Sequence, residues 1–174
     1  EIPFIAQTAN AASRALWDVY PRYLREDFAD VKVLALQAHN GGLITTRERP
    51  VTRLEDMRGL RLRTPSPVVS AMLQALGAVP VSMAPLEVYE NIQRGTIDGA
   101  AFTWDALSAF RIVEVTRHEF DIRSYVASFY FVMNQRRYDG LPENVRRAID
   151  ELSGQYLAER YGEWWNRWDA PGLE

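Results

Sequence analysis

The chain has 174 residues, 47% of them hydrophobic and 25% charged, which fits one domain or two small lobes of an ordinary globular protein and excludes a disordered or low-complexity class. Twenty Lys and Arg against twenty-three Asp and Glu leave a net charge of −3, and without a basic stripe no nucleic-acid partner is expected. No apolar run is long enough to span a bilayer, and the lack of cysteine removes thiol nucleophiles, disulfides and thiolate-bound zinc or iron.

The first elements alternate helix and strand. Residues 10–28 read as a helix, with Ala11, Ala15, Leu16, Val19, Tyr23 and Leu24 at helical spacing. VKVLALQ at 31–37 is a short β-rich run, followed by the polar turn His39-Asn40-Gly41-Gly42 and a second strand from Leu43 to Thr46. Arg53 to Gly59 looks like one helical turn ended by glycine. LRLRT at 60–64 alternates apolar and basic residues, which predicts a half-buried strand with Arg61 and Arg63 on one face.

Pro65 and Pro67 end that strand, and Ser66 is a suitable N-cap for a helix starting at Pro67. Its apolar face is expected at Val68, Met72, Leu73 and Leu76, with a stop at Gly77. A proline-interrupted strand at 78–83 leads to a helix opened by Pro85, apolar at Leu86, Val88, Tyr89 and Ile92, and stopped by Gly95. Ile97 to Trp104 begins as a strand, and 105–118 reads as helix. YVASFYFVMN at 125–134 is the most strongly β segment. Leu141-Pro142-Glu143 opens the last and longest helix, whose inward stripe is expected at Val145, Ile149, Leu152 and Tyr156 and continues through Trp164, Trp165 and Trp168.

The strand–helix rhythm of 60–104 predicts an α/β unit with a largely parallel sheet. Ligands of such sheets bind at the carboxyl ends of the strands. Arg63 stands at one such end, directly before a proline-stiffened turn and a helix N-terminus. A guanidinium there can make two parallel hydrogen bonds to a carboxylate, or it can pair with a neighbouring Asp or Glu on the surface. Phe102 and Trp104 stand at another strand end, where they can form a stacking wall or pack in the core; for Tyr89, on a helix face, packing is the better reading. His39 follows a strand and can face a cleft, although a solvent-exposed imidazole is the plainer expectation. Neither histidine has metal-site spacing, and no nucleophile elbow, P-loop or dinucleotide pattern occurs, so no cofactor, metal or catalytic set is expected. The paired arginines Arg136–Arg137 and Arg146–Arg147 read as solvated surface.

The run RPVTRLEDMRGLRLRTPSPVVSAMLQALGAVPVSMAPLEVYENIQRGTIDG closely resembles the solute-binding subunits of TRAP transporters, the DctP family. The family's ordered pattern of D-(L/M)-(K/R)-G, R-x-P, L-G-A-x-P, E-(V/L)-Y and D-G elements is nearly complete here, and FVMNQRRYDGLPENVRRAI looks like its later strand and helix. The resemblance implies a two-lobed, periplasmic-binding-protein-like α/β fold of the type II-like, Venus-flytrap kind, which closes on its ligand by hinge motion and has a long C-terminal helix. It implies a periplasmic protein, not an enzyme, that delivers a small organic acid to TRAP membrane permease subunits. The arginine of the R-x-P motif, which forms the ligand salt bridge, is Arg63 in this chain. Expected ligand-binding residues are Arg63, Trp104, Phe102, Pro85, His39 and Asn40. The alternative is a sensing or accessory binding domain of the same fold that is not coupled to transport.

Three departures shape the ligand expected. The family's frequent D-G-Q-E-N is D-G-A-A-F here, so Phe102 replaces a polar asparagine. Pro85 stands where an aromatic is common, and Leu43 where the sialic-acid branch carries a second arginine. A less polar acid, an aromatic or hydrophobic monocarboxylate, is therefore expected. Family members are also much longer. The family's L-P-F segment matches Ile2-Pro3-Phe4, and Glu1 to Ile5 lacks the basic region of a secretory leader. Residues 41–126 are expected to form a nearly whole lobe, with 1–40 and 127–174 as part of the other. Apolar faces left without packing partners predict a homodimer.

Overall fold

The computed structural model describes residues 8–173, so the Ile2-Pro3-Phe4 segment lies outside the described residues. Two compact units emerge. Unit 1 comprises Gly41–Tyr125 with residues 168–173, and unit 2 comprises residues 8–40 with Val126–Arg167. The expected boundaries were 40/41 and 126/127; the observed ones fall at 40/41, at 125/126 and inside the last helix at 167/168.

Unit 1 is built on a five-stranded sheet, β2 (Leu43–Thr46), β3 (Arg61–Thr64), β4 (Val79–Ser82), β5 (Gly99–Phe102) and β6 (His118–Phe120), in the order β4-β3-β5-β2-β6. The sheet is mixed: β3 runs parallel to β4 and β5, whereas β2 is antiparallel to β5 and β6. Parallel pairing of β3 on both sides explains why the expected half-buried strand is buried on both faces, with Leu62 and Thr64 at 0% and 1% exposure and Arg63 at 5%. β4 carries Pro80 and lies at the sheet edge, where a missing N–H breaks no ladder.

Helix α2 (Pro67–Ala75) starts as its residues dictate, with Pro67 in the first turn and Ser66 Oγ accepting from Val69 N at 3.2 Å. Its inward face uses Val69 and Leu73, not Val68, which is more than half exposed. Pro85–Glu87 form a single 3-10 turn before α3 (Val88–Gln93), so Leu86 points outward while Val88 and Ile92 are buried. Gly59, Gly77 and Gly95 follow their helical turns with φ of 75°, 90° and 71°, the left-handed conformation that glycine adopts without strain. The core joins Leu43, Ile92, Ile97, Phe102, Leu107 and Ile112, and each such side chain contributes about 1.5–3 kcal/mol on burial.

The helix expected over 105–118 is shorter. α4 (Trp104–Ala109) ends before Arg111, whose φ of 58° turns the chain into a 3-10 turn at Ile112–Glu114. His118–Phe120 then pairs with β2 as a strand.

Unit 2 contains α1 (Ala9–Val19) and a two-stranded antiparallel sheet of β1 (Val31–Ala38) and β7 (Ser128–Asn134). The helix expected over 10–28 gives way to a π turn at Tyr20–Leu24, where Pro21 supplies no N–H, and a 3-10 turn at Glu26–Phe28. After α5 (Gln135–Asp139), the single long helix expected from Leu141 is two helices, α6 (Glu143–Glu151) and α7 (Gln155–Leu173). Gly154, at φ 71°, separates them. Of the expected inward stripe, Val145, Leu152 and Tyr156 face outward at 37%, 61% and 52% exposure, whereas Ile149, Trp164 and Trp165 are partly buried. With Leu34, Phe131, Ile149 and Leu157, Val145 and Leu152 line an open apolar groove of about 290 Å³.

Candidate functional site

Parallel pairing of β3, β4 and β5 brings their carboxyl ends to one edge of the unit 1 sheet. Arg63 pairs in register with Val81 on one side and Ala100 on the other. Its Nη1 donates to Ala101 O at 3.0 Å and its Nε to Met83 O at 3.3 Å. The guanidinium carbon lies 4.4 Å from the centre of the Phe102 ring, a cation–π contact. Phe102 in turn stacks on Phe110 with centroids 5.9 Å apart.

Among the described residues no carboxylate lies within ion-pairing distance of Arg63. Burial pushes its pKa down from the usual guanidinium value, an effect opposed by the neighbouring Tyr125 phenol. A buried charge held by two backbone carbonyls and a ring face is costly unless an anion completes it. Arg61, two residues earlier on the same strand, is the contrast. Its guanidinium grips Asp98 with two bonds, of 2.6 and 3.1 Å, and its backbone N–H also donates to that carboxylate at 2.8 Å. The pair holds the Asp98 pKa below its ordinary value.

The other expected site residues divide by unit. Phe102 is buried at the β5 end, and Trp104, partly buried, follows as the first residue of α4; its indole N–H donates to Asp121 Oδ2 at 3.1 Å. Pro85 is partly buried in its 3-10 turn, where Ala84 N donates to Glu87 Oε2 at 2.9 Å. His39 and Asn40 belong to unit 2. His39 is 3% exposed, which corrects the expected solvent-exposed imidazole. Its Nε2 accepts from Ala127 N at 3.0 Å and its Nδ1 faces Asn40 O, so the ring substitutes for backbone partners between β1 and the chain entering β7. Asn40 Oδ1 accepts from Ala9 N at 2.8 Å, at the start of α1.

Tyr125 is the neighbour that sequence reasoning passed over as an ordinary strand residue. It is 3% exposed. Its ring lies directly over Gly42: a Cβ there would stand 2.1 Å from Tyr125 Cε1. Gly42 N donates to Tyr125 O at 2.8 Å, and Ser124 N donates back to Gly42 O at 2.8 Å. The signal available was the glycine pair at 41–42, which demands a close approach from elsewhere in the chain.

The sheet, its flanking helices and the return of the chain into a second unit are the architecture of periplasmic-binding-protein-like solute receptors. Solved structures share it. A TRAP solute-binding protein from Rhodoferax ferrireducens, bound to copurified benzoate, is 35% identical with a TM-score of 0.94, over 99% of this chain and 55% of that one. A marine metagenome TRAP solute-binding protein specific for aromatic acid ligands, bound to metahydroxyphenylacetate, is 32% identical with a TM-score of 0.94, over 99% and 56% of the two chains. The C4-dicarboxylate-binding periplasmic protein DctP of Rhodobacter capsulatus is 33% identical over 67% of this chain and 35% of its own length. The model of the DctP family, bacterial extracellular solute-binding protein family 7, matches residues 1–167, and the chain belongs to that family. The chain spans about half the length, or less, of the curated relatives it matches. No helix among the described residues is long and apolar enough to cross a membrane.

Proposed function

We propose that this chain carries the anion-binding lobe of a periplasmic TRAP solute receptor that captures a small aromatic monocarboxylate and passes it to membrane permease subunits. The observation that carries the reading is Arg63, buried at the strand ends without a carboxylate partner among the described residues. Its guanidinium binds the ligand carboxylate, and Phe102, Trp104 and Pro85 form the apolar side of the site. An aromatic ligand is favoured by Phe102 under the guanidinium and by relatives at 30% identity or more bound to benzoate, metahydroxyphenylacetate and mandelate. The activity is capture without turnover. His39 and Asn40, each bonded within unit 2, are left out of the ligand set.

Calorimetric titration with benzoate and with succinate tests this reading. Saturable benzoate binding stronger than that of succinate is expected; succinate preference, or no binding of either acid, would sink it. The open apolar groove of unit 2, with Phe129, Tyr130 and Phe131 more than two-fifths exposed, supports self-association of this chain as a further reading. Light scattering should give twice the chain mass at high concentration, and a clean monomer there would refute it.

A further inference from the structure

The last turn of α7 lies within unit 1 and meets the first turn of α4. The first backbone N–H groups of any helix have no acceptor inside it. Thr103, at the N-cap of α4, makes no side-chain cap bond; its hydroxyl donates to Asp105 Oδ1 at 2.5 Å. Asp105 N also finds an acceptor on α7, Asp169 Oδ1, at 3.1 Å, besides the help that the Asp105 carboxylate gives the backbone N–H groups of this turn. Asp169 is only 6% exposed, so its carboxylate is set into the fold rather than moving in solvent.

Three residues on, Gly172 packs against the backbone of Trp104 itself. A Cβ at 172 would lie 2.3 Å from Trp104 O and 2.8 Å from its carbonyl carbon. Such distances leave room for hydrogen alone. Pro171, inside the helix, adds a residue without an N–H at the same turn. Trp104 is therefore held from two directions, its backbone by Gly172 and its indole N–H by Asp121 at 3.1 Å.

We propose that Asp169 and Gly172 are positioning residues for ligand recognition, with Asp169 capping α4 and Gly172 seating Trp104 so that its ring stands beside the Arg63 end of the sheet. The inference rests on the functional reading above for the role of Trp104, but the placement itself can be measured without a ligand. The indole N–H resonance of Trp104, assigned by its loss in Trp104→Phe, reports the seat in the ligand-free protein. Asp169→Ala should shift that resonance and weaken benzoate binding about fivefold to tenfold, the scale of one lost helix cap expressed as affinity. Asp169→Asn keeps an oxygen acceptor and should restore both. If Asp169→Ala does not fold, Gly172→Ala replaces it, with the same two readouts.

An unmoved indole resonance overturns the proposal, whether or not affinity falls. So does a shifted resonance with unchanged benzoate affinity, or an Asp169→Asn variant as impaired as Asp169→Ala. Absence of benzoate binding by the parent chain refutes the functional reading instead, and the indole resonance then still decides whether Asp169 seats Trp104.

Discussion

Replacing Arg63 by methionine separates two effects that usually run together. In the ligand-free protein the substitution removes the donors to Met83 O and Ala101 O, worth about 1 kcal/mol each. It also removes a charge held at 5% exposure without a counter-ion among the described residues, and the penalty for such an ion is several kcal/mol. The second effect is the larger, so ligand-free Arg63→Met should melt at the same temperature as the parent or higher. Binding should respond in the opposite sense. Truncating one partner of a buried, hydrogen-bonded charge pair costs about 2–5 kcal/mol, a loss of about 30-fold to several thousand-fold in affinity. Calorimetry with benzoate and thermal melts without it measure both. Benzoate affinity retained within about twofold would refute the anion role. A ligand-free variant that melts well below the parent would show that the guanidinium is there for the fold.

Other expectations follow from the same geometry. Because Arg61 lowers the Asp98 pKa, the pair's stabilisation is fully present above the unfolded carboxylate pKa of about 3.9 and is lost as pH falls through the lower folded value. Asp98→Asn should therefore flatten the acid limb of melting temperature against pH, and an unchanged slope would show that the pair is screened out. Asp56, held at a pKa of about 2 by the backbone N–H and hydroxyl of Thr52, should stay ionised in a carbon-detected NMR titration down to about that pH. Gly99→Ala would place a Cβ 2.0 Å from Thr45 O; overpacking of about 1–3 kcal/mol should lower the melting temperature by roughly 2–12 °C. Gly59→Ala meets nothing within 4 Å and carries only the strain of φ 75°, about 1–2 kcal/mol. If Gly99→Ala melts with the parent, the steric argument at Gly99 is wrong.

Where local chemistry decides, the sequence was readable. Ser66-Pro67 starts α2, three glycines end helical turns, and LRLRT is a strand that delivers Arg63 to a carboxyl end. Where a distant partner decides, it was not. β6 has a weak β signal of its own and is extended because Thr46 and Ile44 of β2 pair with it. The long C-terminal pattern hides its break because Gly154 is one residue in a helical run, although its left-handed φ sits in the turn between α6 and α7. Val145 and Leu152 have inward spacing but lie on the groove surface. His39 read as solvent-exposed because its burial comes from the backbone at Ala127, eighty-eight positions away. At the site, the R-x-P motif marks Arg63, whereas Tyr125 and Asp169 owe their places to packing against Gly42 and α4.

The antiparallel pairing of β2 with β5 also fixes where the chain passes into and out of unit 1. It sets Leu43 opposite Phe102, so the chain enters unit 1 at the Arg63 end of the sheet, and it leaves there too, through Ser124 and Tyr125. The segments that lead into β2 and out through Tyr125 therefore share one end of the unit 1 sheet, the end that carries Arg63, while the Arg61–Asp98 clamp lies at the other end of β3 and ties that strand to the residue just before β5.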